Sequence, residues 1–199
     1  MPPPILLAST SATRAVLLRN AGLSLDTAAA NIDEAALRLA LDAEGLNPRD
    51  QADALAEAKA RKISRKRPDA MVIGCDQNLA FRDQVLAKPS SPAVARQQLM
   101  QLRGQTHVLH SAVVIYENDQ PVWRHIGTAR LTMRGFSDDY LDAYLARQGP
   151  DVCTSVGCYK LEGEGVRLFS RIDGDYFTIL GLPLLELLGY LTTRGVIES

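Results

Sequence analysis

The chain begins with a short apolar run that stops abruptly at three hydroxyl residues. Ile5-Leu6-Leu7-Ala8 is followed by Ser9-Thr10-Ser11 and then by Ala12-Thr13-Arg14, where helical spacing of apolar residues starts. This order predicts a strand, a polar turn and a helix N-terminus. The hydroxyls of such a turn either cap the helix or join its unpaired N–H groups in holding an anion. Ser9, Ser11 and Arg14 carry the donors that a phosphate site needs.

Size and charge limit the class of protein. The 199 residues, 46% of them hydrophobic, can bury one sizeable core, as one domain or as two closely packed lobes. A net charge of −1 argues against a general nucleic-acid binder but allows a small anionic ligand held by local cations. The three cysteines form no CxxC pair, which indicates reduced thiols. We expect a cytoplasmic protein that does not enter a membrane, because the sequence shows neither a signal-peptide pattern nor a long apolar span.

Strand and helix patterns alternate along the chain, which favours an α/β fold with a mixed sheet. Strands are predicted at 5–8, 23–32, 70–74, 108–116, 122–133 and 166–172. Helices are predicted from 12, at 34–43, from 47, and at 91–103, 137–146 and 184–191.

Asp76 is the most informative polar residue outside the first turn. It follows the apolar segment 70–74, so we expect it at the carboxyl end of a buried strand, where open α/β sheets bind ligands. A carboxylate there needs a metal, a cation or a reacting proton, unless it only caps a turn. Lys88 brings a cation back twelve residues later.

Other polar residues have two interpretations each. Glu34 follows Asp33 at a helix start, where either carboxylate is favourable for the helix dipole alone. Lys59 lies among alanines and either extends to solvent or reaches a phosphate. Tyr159 and Glu162 precede a glycine-rich turn. No P-loop motif is present, and His107 and His110 fall on opposite faces of a strand, which makes joint metal binding unfavourable.

Taken in order, these segments resemble the Maf family of nucleoside triphosphate pyrophosphatases over nearly the whole chain. The matching motifs are Leu7-Ala8-Ser9-Thr10-Ser11 with Arg14, Ile32-Asp33-Glu34, Ala58-Lys59-Ala60, Gly74-Cys75-Asp76-Gln77, Lys88-Pro89, Leu102-Arg103-Gly104-Gln105-Thr106-His107, Gly157-Cys158-Tyr159, Ile172-Asp173-Gly174-Asp175 and Gly181-Leu182-Pro183-Leu184. The resemblance implies a single Maf-like domain over 1–199. It also implies an α/β fold whose mixed, strongly twisted sheet is flanked by helices, with two lobes around a central nucleotide cleft.

The resemblance further implies a hydrolase acting on acid anhydrides, which converts nucleoside triphosphates, including modified ones, to the monophosphate and pyrophosphate. Such an enzyme has a house-cleaning role, because it keeps non-standard nucleotides out of nucleic acids. A divalent metal, Mg²⁺ or Mn²⁺, is then expected on Asp76 and Glu34, with Asp76 as proton acceptor and Lys88 as a catalytic cation. The residues expected to bind the substrate are Ser9, Ser11, Arg14, Lys59, Gln77, Tyr159 and Glu162. A homodimer is a family-level expectation.

The chain departs from the family pattern in the first turn, where Ala12 and Thr13 replace the usual Pro and Arg. The missing guanidinium favours an alternative function, a nucleotide-sensing regulator of cell division with weak or absent catalysis. Gln77 and Glu162 resemble the 7-methyl-GTP branch more than the dTTP/UTP branch, and an ionised Glu162 suits the donor-bearing edge of guanine. A pyrophosphatase for deaminated purine triphosphates such as ITP or XTP is a further alternative.

Overall fold

The computed structural model describes residues 3–198, in which seven strands form one mixed sheet. Its spatial order is β2-β1-β3-β5-β6-β7, and β4 pairs with β3 outside this path. The strands are β1 Ile5–Ala8, β2 Leu25–Thr27, β3 Met71–Phe81, β4 Gln84–Leu86, β5 Thr106–Glu117, β6 Gln120–Met133 and β7 Phe169–Asp173. The pairs β1–β2 and β1–β3 are parallel, and the other pairs are antiparallel. The predicted mixed α/β sheet is therefore confirmed.

Helices cover both faces of the parallel end of the sheet. The helices are α1 Ala12–Asn20, α2 Glu34–Ala43, α3 Pro48–Ser64, α4 Pro92–Leu102, α5 Asp138–Gln148, α6 Tyr176–Ile179 and α7 Leu184–Thr193. Apolar side chains of α1 and α7 pack with Leu7 and Ile73 on one face. Alanines of α3 pack with Leu6 and Val72 on the other. Because β1 and the start of β3 are covered on both faces, they read as continuous apolar runs.

A separate apolar cluster forms at the opposite end of the long antiparallel strands. Leu79 of β3, Leu109 of β5 and Leu131 of β6 pack there with the apolar faces of α4 and α5. The long strands β3, β5 and β6 thus pass through both halves of the molecule. This arrangement gives the two lobes expected from the sequence, with the cleft described below between them.

Helix α3 lies unusually close to β3 because Gly74 has no side chain. A Cβ at that position would meet the backbone oxygen of Ala56 at 2.2 Å and the Cβ of Ala60 at 2.7 Å. The small residues of α3 make this approach possible. Close packing at Gly74 sets the distance between Lys59 on α3 and Asp76 on β3.

The predicted end of the central strand, β3, was wrong. We expected the strand to end at Gly74 and to leave Asp76 just beyond it, but β3 continues to Phe81. Only the parallel pairing with β1 ends at Gly74, opposite Ala8. Beyond that point β3 stays in the sheet through β5, where Asp76 pairs with Ala112. Asp76 is therefore a strand residue exposed to the cleft by the end of its neighbour β1, rather than a turn residue.

Two edge strands are shorter than their predicted ranges, and, apart from the end of β3, the other predicted elements agree closely with the structure. Strand β2 covers Leu25–Thr27 within the predicted 23–32, and β7 begins at Phe169 because a 3₁₀ helix occupies Glu164–Leu168. The predicted pair of long strands is confirmed as the β5–β6 hairpin. Within residues 3–198, every helix is too short or too polar to cross a membrane.

Candidate active site

A large cleft of about 930 Å³ lies beside the end of β1 and is walled by both lobes. Its volume is at the upper end of the roughly 300–1,000 Å³ typical of small-molecule sites. Every residue that the sequence analysis predicted to be catalytic or to bind substrate or metal lines this cleft. These are Ser9, Ser11, Arg14, Glu34, Lys59, Asp76, Gln77, Lys88, Tyr159 and Glu162. The topology thus brings together residues from segments far apart in the chain.

Asp76 and Glu34 converge on one ammonium group. Lys59 Nζ lies 2.7 Å from Asp76 Oδ1 and 2.9 Å from Glu34 Oε1. Asp76 is 3% exposed and Lys59 8%, whereas the Glu34 side chain is about half exposed. Lys59 therefore does not extend to solvent. A buried lysine between two carboxylates needs them to offset its desolvation.

Local sequence explains why Glu34 is free to face the cleft. Asp33 is the N-cap of α2, and its side chain accepts a hydrogen bond from the N–H of Ala36 at 2.9 Å. Capping is thus done by the first carboxylate of the pair. Glu34, one position later, points its carboxylate toward Lys59.

Arg38 is a cleft residue that the sequence interpretation missed. Its Nη2 donates to Asp76 Oδ2 at 2.9 Å and lies 4.0 Å from Glu34 Oε2. Arg38 is one helical turn after Glu34, so the i,i+4 spacing on α2 was the available signal. Both oxygens of Asp76 thus have a cationic partner, Lys59 on one and Arg38 on the other.

The first turn combines capping with a poised guanidinium. Ser11 caps α1 by accepting from the N–H of Arg14 at 3.3 Å, which confirms the capping interpretation for this residue. Ser9 Oγ accepts from the Ser11 N–H at 3.1 Å and from Arg14 Nη1 at 3.4 Å. Arg14 is anchored by Nε donating to the carbonyl of Gly181 at 2.7 Å. The turn therefore holds Ser9 and Arg14 together at the end of β1.

Lys88 completes the cationic wall from the segment between β4 and α4. Partial burial in the cleft, together with the positive charges of Arg14 and Lys59, lowers the pKa of Lys88 below its ordinary value. The carboxylates of Glu34 and Asp76 act in the opposite direction. All four groups are thus close enough to influence the charge of this lysine.

Gln77 and Tyr159 use polar groups in hydrogen bonds within the protein. Gln77 Nε2 donates to Ser111 Oγ at 2.9 Å and to the carbonyls of Thr178 and Ile179, which ties α6 to the sheet. The hydroxyl of Tyr159 lies 2.7 Å from His107 Nε2. Burial raises the pKa of the Tyr159 hydroxyl well above its usual value. Both residues line the cleft, but these polar groups are already paired within the protein.

Glu162 differs from the other two carboxylates of the cleft. It is exposed and lies in the turn that follows Tyr159, on the wall of the cleft. Glu34 and Asp76 sit at the cationic end of the cleft, whereas Glu162 comes from the segment between α5 and β7. Glu162 thus contributes a carboxylate from a different segment of the cleft wall, two residues after Lys160, which also lines the cleft.

His107 and Cys75 are buried in the protein interior. Burial lowers the pKa of His107 to about 4, so the ring is neutral near pH 7. Burial also raises the pKa of the Cys75 thiol to about 11, which makes it a poor nucleophile. No group of three or more His, Cys, Asp or Glu side chains within residues 3–198 is arranged to hold a metal ion. Any metal here would rest on fewer protein ligands.

Comparison with known proteins gives a consistent picture over almost the full length. A family model described as Maf-like protein matches residues 4–194. The chain is 57% identical over 196 residues to the nucleoside triphosphate pyrophosphatase of Ruegeria pomeroyi, covering 98% of both chains. It is 50% identical over 199 residues to the 7-methyl-GTP pyrophosphatase of Rhizobium meliloti, covering 100% of both. It is also 50% identical to the nucleoside triphosphate pyrophosphatase of Caulobacter vibrioides, covering 98% of this chain and 97% of the relative.

Proposed function

The chain belongs to the Maf family, and from that premise we propose that its cleft hydrolyses nucleoside triphosphates between the α- and β-phosphates. The products are a nucleoside monophosphate and pyrophosphate, which makes the protein a hydrolase acting on acid anhydrides. The observation that carries the proposal is the convergence of Asp76 and Glu34 on Lys59 at the base of a cleft with further cations on its walls. Carboxylates beside an array of cations are what phosphoanhydride hydrolysis requires.

The donor set fits Mg²⁺ or Mn²⁺. Asp76 and Glu34 each place an oxygen within 3 Å of the same atom, Lys59 Nζ, so both reach one small region of the cleft. Mg²⁺ is commonly bound by one or two carboxylates, with water and substrate phosphates completing its shell. Asp76 and Glu34 would hold the ion. When bound, it would neutralise phosphate charge and lower the pKa of a coordinated water.

The chain's own residues account for binding and positioning. Ser9 and Arg14 at the end of β1 donate to phosphate oxygens, with Lys88 placed to stabilise charge that develops on the leaving pyrophosphate. Lys59 helps to neutralise the polyphosphate, and Asp76 orients the attacking water and accepts its proton. Burial of Asp76 and Lys59 keeps bulk solvent away from these groups.

We further propose that Glu162 selects the base. An ionised carboxylate only accepts hydrogen bonds, so it favours the N–H-bearing edge of guanine and the positive charge of an N7-methylated base. The relative from Rhizobium meliloti that bears the name 7-methyl-GTP pyrophosphatase supports this choice. Replacing Glu162 by Gln is expected to reduce the preference for 7-methyl-GTP over UTP while leaving pyrophosphate binding unchanged.

We propose a cytoplasmic house-cleaning enzyme that acts as one Maf-like domain over 1–199 and forms a homodimer. Its net charge of −1 gives no general attraction to nucleic acid, so the partner is the free nucleotide.

A pyrophosphate-release screen tests the proposal. The purified protein is assayed with dTTP, UTP, CTP, 7-methyl-GTP, ITP and XTP, each with Mg²⁺ or Mn²⁺. Turnover of 7-methyl-GTP above the others is expected. Preference for ITP or XTP would assign the enzyme to deaminated purines instead. Tight nucleotide binding without turnover of any substrate would favour the sensor function suggested by Thr13.

A further inference from the structure

Arg38 stands between the two carboxylates that form the base of the cleft. Its guanidinium bonds Asp76 Oδ2 at 2.9 Å and lies 4.0 Å from Glu34 Oε2. The residue comes from α2, whereas Asp76 comes from β3, so the contact joins two elements across the cleft. Arg38 therefore belongs to the site, although no role above depends on it.

The charge balance of this group points to an exchange of partners. Lys59 and Arg38 together carry two positive charges, and Asp76 and Glu34 carry two negative charges. A divalent cation held by the same two carboxylates would neutralise them by itself. Lys59, which is buried, and Arg38, which is partly buried, would then lack partners, and an unpaired charge removed from water is costly. A polyphosphate entering with the cation would supply the missing negative charge.

The hydrogen bonding of Arg38 agrees with such an exchange of partners. Its Nη1 is buried and has no hydrogen-bond partner within the described residues 3–198, although Nη2 is bonded to Asp76. Buried polar atoms without partners are uncommon and call for an explanation. A guanidinium fits a phosphate with two parallel hydrogen bonds, which would use both nitrogens.

We propose that Arg38 is a phosphate-binding residue that Asp76 holds in the free protein and releases when a metal-bound nucleotide arrives. The proposal rests on the function proposed above and adds a residue and an order of events to it. Arg38 thereby supplies, from α2, a guanidinium that the first turn lacks at Thr13. It also links the two binding events, because loss of the Asp76 contact to the metal frees Arg38 for the phosphate.

Arg38→Gln separates this role from a purely structural one. With Mn²⁺ present, calorimetric titration of pyrophosphate should show about tenfold or more weaker binding to the variant, since a charged bidentate contact is lost. In the absence of pyrophosphate, Mn²⁺ binding followed by electron paramagnetic resonance should be unchanged or tighter, because a competitor for Asp76 is gone. A side chain that merely held α2 in place would weaken both ligands together.

Arg65→Gln is the matched control, because Arg65 also pairs with an aspartate, Asp119, but on the exposed surface. It should bind both ligands as the wild type does. Arg38→Lys keeps the charge without the planar fork and should fall between wild type and Arg38→Gln for pyrophosphate. It also serves if the glutamine variant does not fold.

Two results would overturn the inference: pyrophosphate affinity within about twofold of wild type, or a parallel loss of Mn²⁺ affinity. The wild-type substrate screen is scored independently. A wild type that binds Mn²⁺ and pyrophosphate but hydrolyses no nucleotide would refute the proposed function and leave the behaviour of Arg38 to be judged by binding alone.

Discussion

Lys59 Nζ lies 2.7 Å from Asp76 Oδ1, and both side chains are almost fully buried on the wall of an open cleft. Buried ion pairs are poor sources of stability, because the desolvation of two charges consumes most of their attraction. A pair in this place is better explained by a ligand that needs both charges. The contact also shows how the fold makes the site, since α3 and β3 bring the two residues together over Gly74.

Asp76→Asn is expected to lower the rate of pyrophosphate release by about 100-fold or more, because the amide neither accepts a proton nor binds a divalent cation strongly. The steady-state assay uses 7-methyl-GTP and UTP with Mg²⁺ or Mn²⁺. Asp119→Asn, which alters an exposed partner of Arg65, should retain wild-type activity. Near-normal turnover by Asp76→Asn with either metal would show that the mechanism is wrong.

Lys88→Ala should lower kcat/KM by about 30- to 150-fold, equivalent to roughly 2–3 kcal/mol of transition-state stabilisation. Lys66→Ala removes an exposed lysine near the end of α3 and provides the comparison. An unchanged rate for Lys88→Ala would remove this residue from the site.

The rate of pyrophosphate release should also begin to fall at a lower alkaline pH than it would if Lys88 had the pKa of an ordinary lysine. Burial and the charges of Arg14 and Lys59 lower the pKa of Lys88, and a lysine is neutral above its pKa, so the cation disappears sooner as the pH rises. Lys88→Arg keeps its charge throughout this range and should move the alkaline limb of the pH–rate profile to higher pH. Coincident alkaline limbs for the two proteins would contradict this assignment.

Gly74→Ala should destabilise the fold by about 1–3 kcal/mol and reduce activity as well, because the new Cβ would press on α3 and shift Lys59 relative to Asp76. Chemical denaturation and the pyrophosphate assay measure the two effects. Gly189→Ala is the control, since it lies in α7 with open space around it and should stabilise the helix slightly. Unchanged stability of Gly74→Ala would mean that the close packing of α3 on β3 is not required.

The sequence predicted the order of elements and the membership of the cleft better than the contacts within it. Periodicity located the long β5–β6 pair, because burial leaves a direct mark on residue spacing. It placed the end of β3 too early, because Asp76 and Asn78 are polar yet remain in the sheet through pairing with β5. Arg38 was missed for a related reason. The i,i+4 spacing links it to Glu34, but its contact with Asp76 on β3 is made across the cleft, and no local pattern encodes that contact.

His107 should make the stability of the protein depend on pH below neutrality. Burial lowers its pKa from 6.5 to about 4, so between these values the unfolded chain binds a proton that the folded protein does not. This contribution is complete above pH 6.5 and is lost as the pH falls toward 4, amounting to about 2 kcal/mol between pH 7 and pH 5. Urea denaturation at both pH values, compared with His107→Gln, isolates the contribution of His107, because the variant lacks the titrating group.

Tyr159→Phe removes the hydroxyl 2.7 Å from His107 Nε2 but keeps the ring buried, so it should retain the pH dependence if burial is the cause. Equal losses in wild type and His107→Gln would show that another group is responsible.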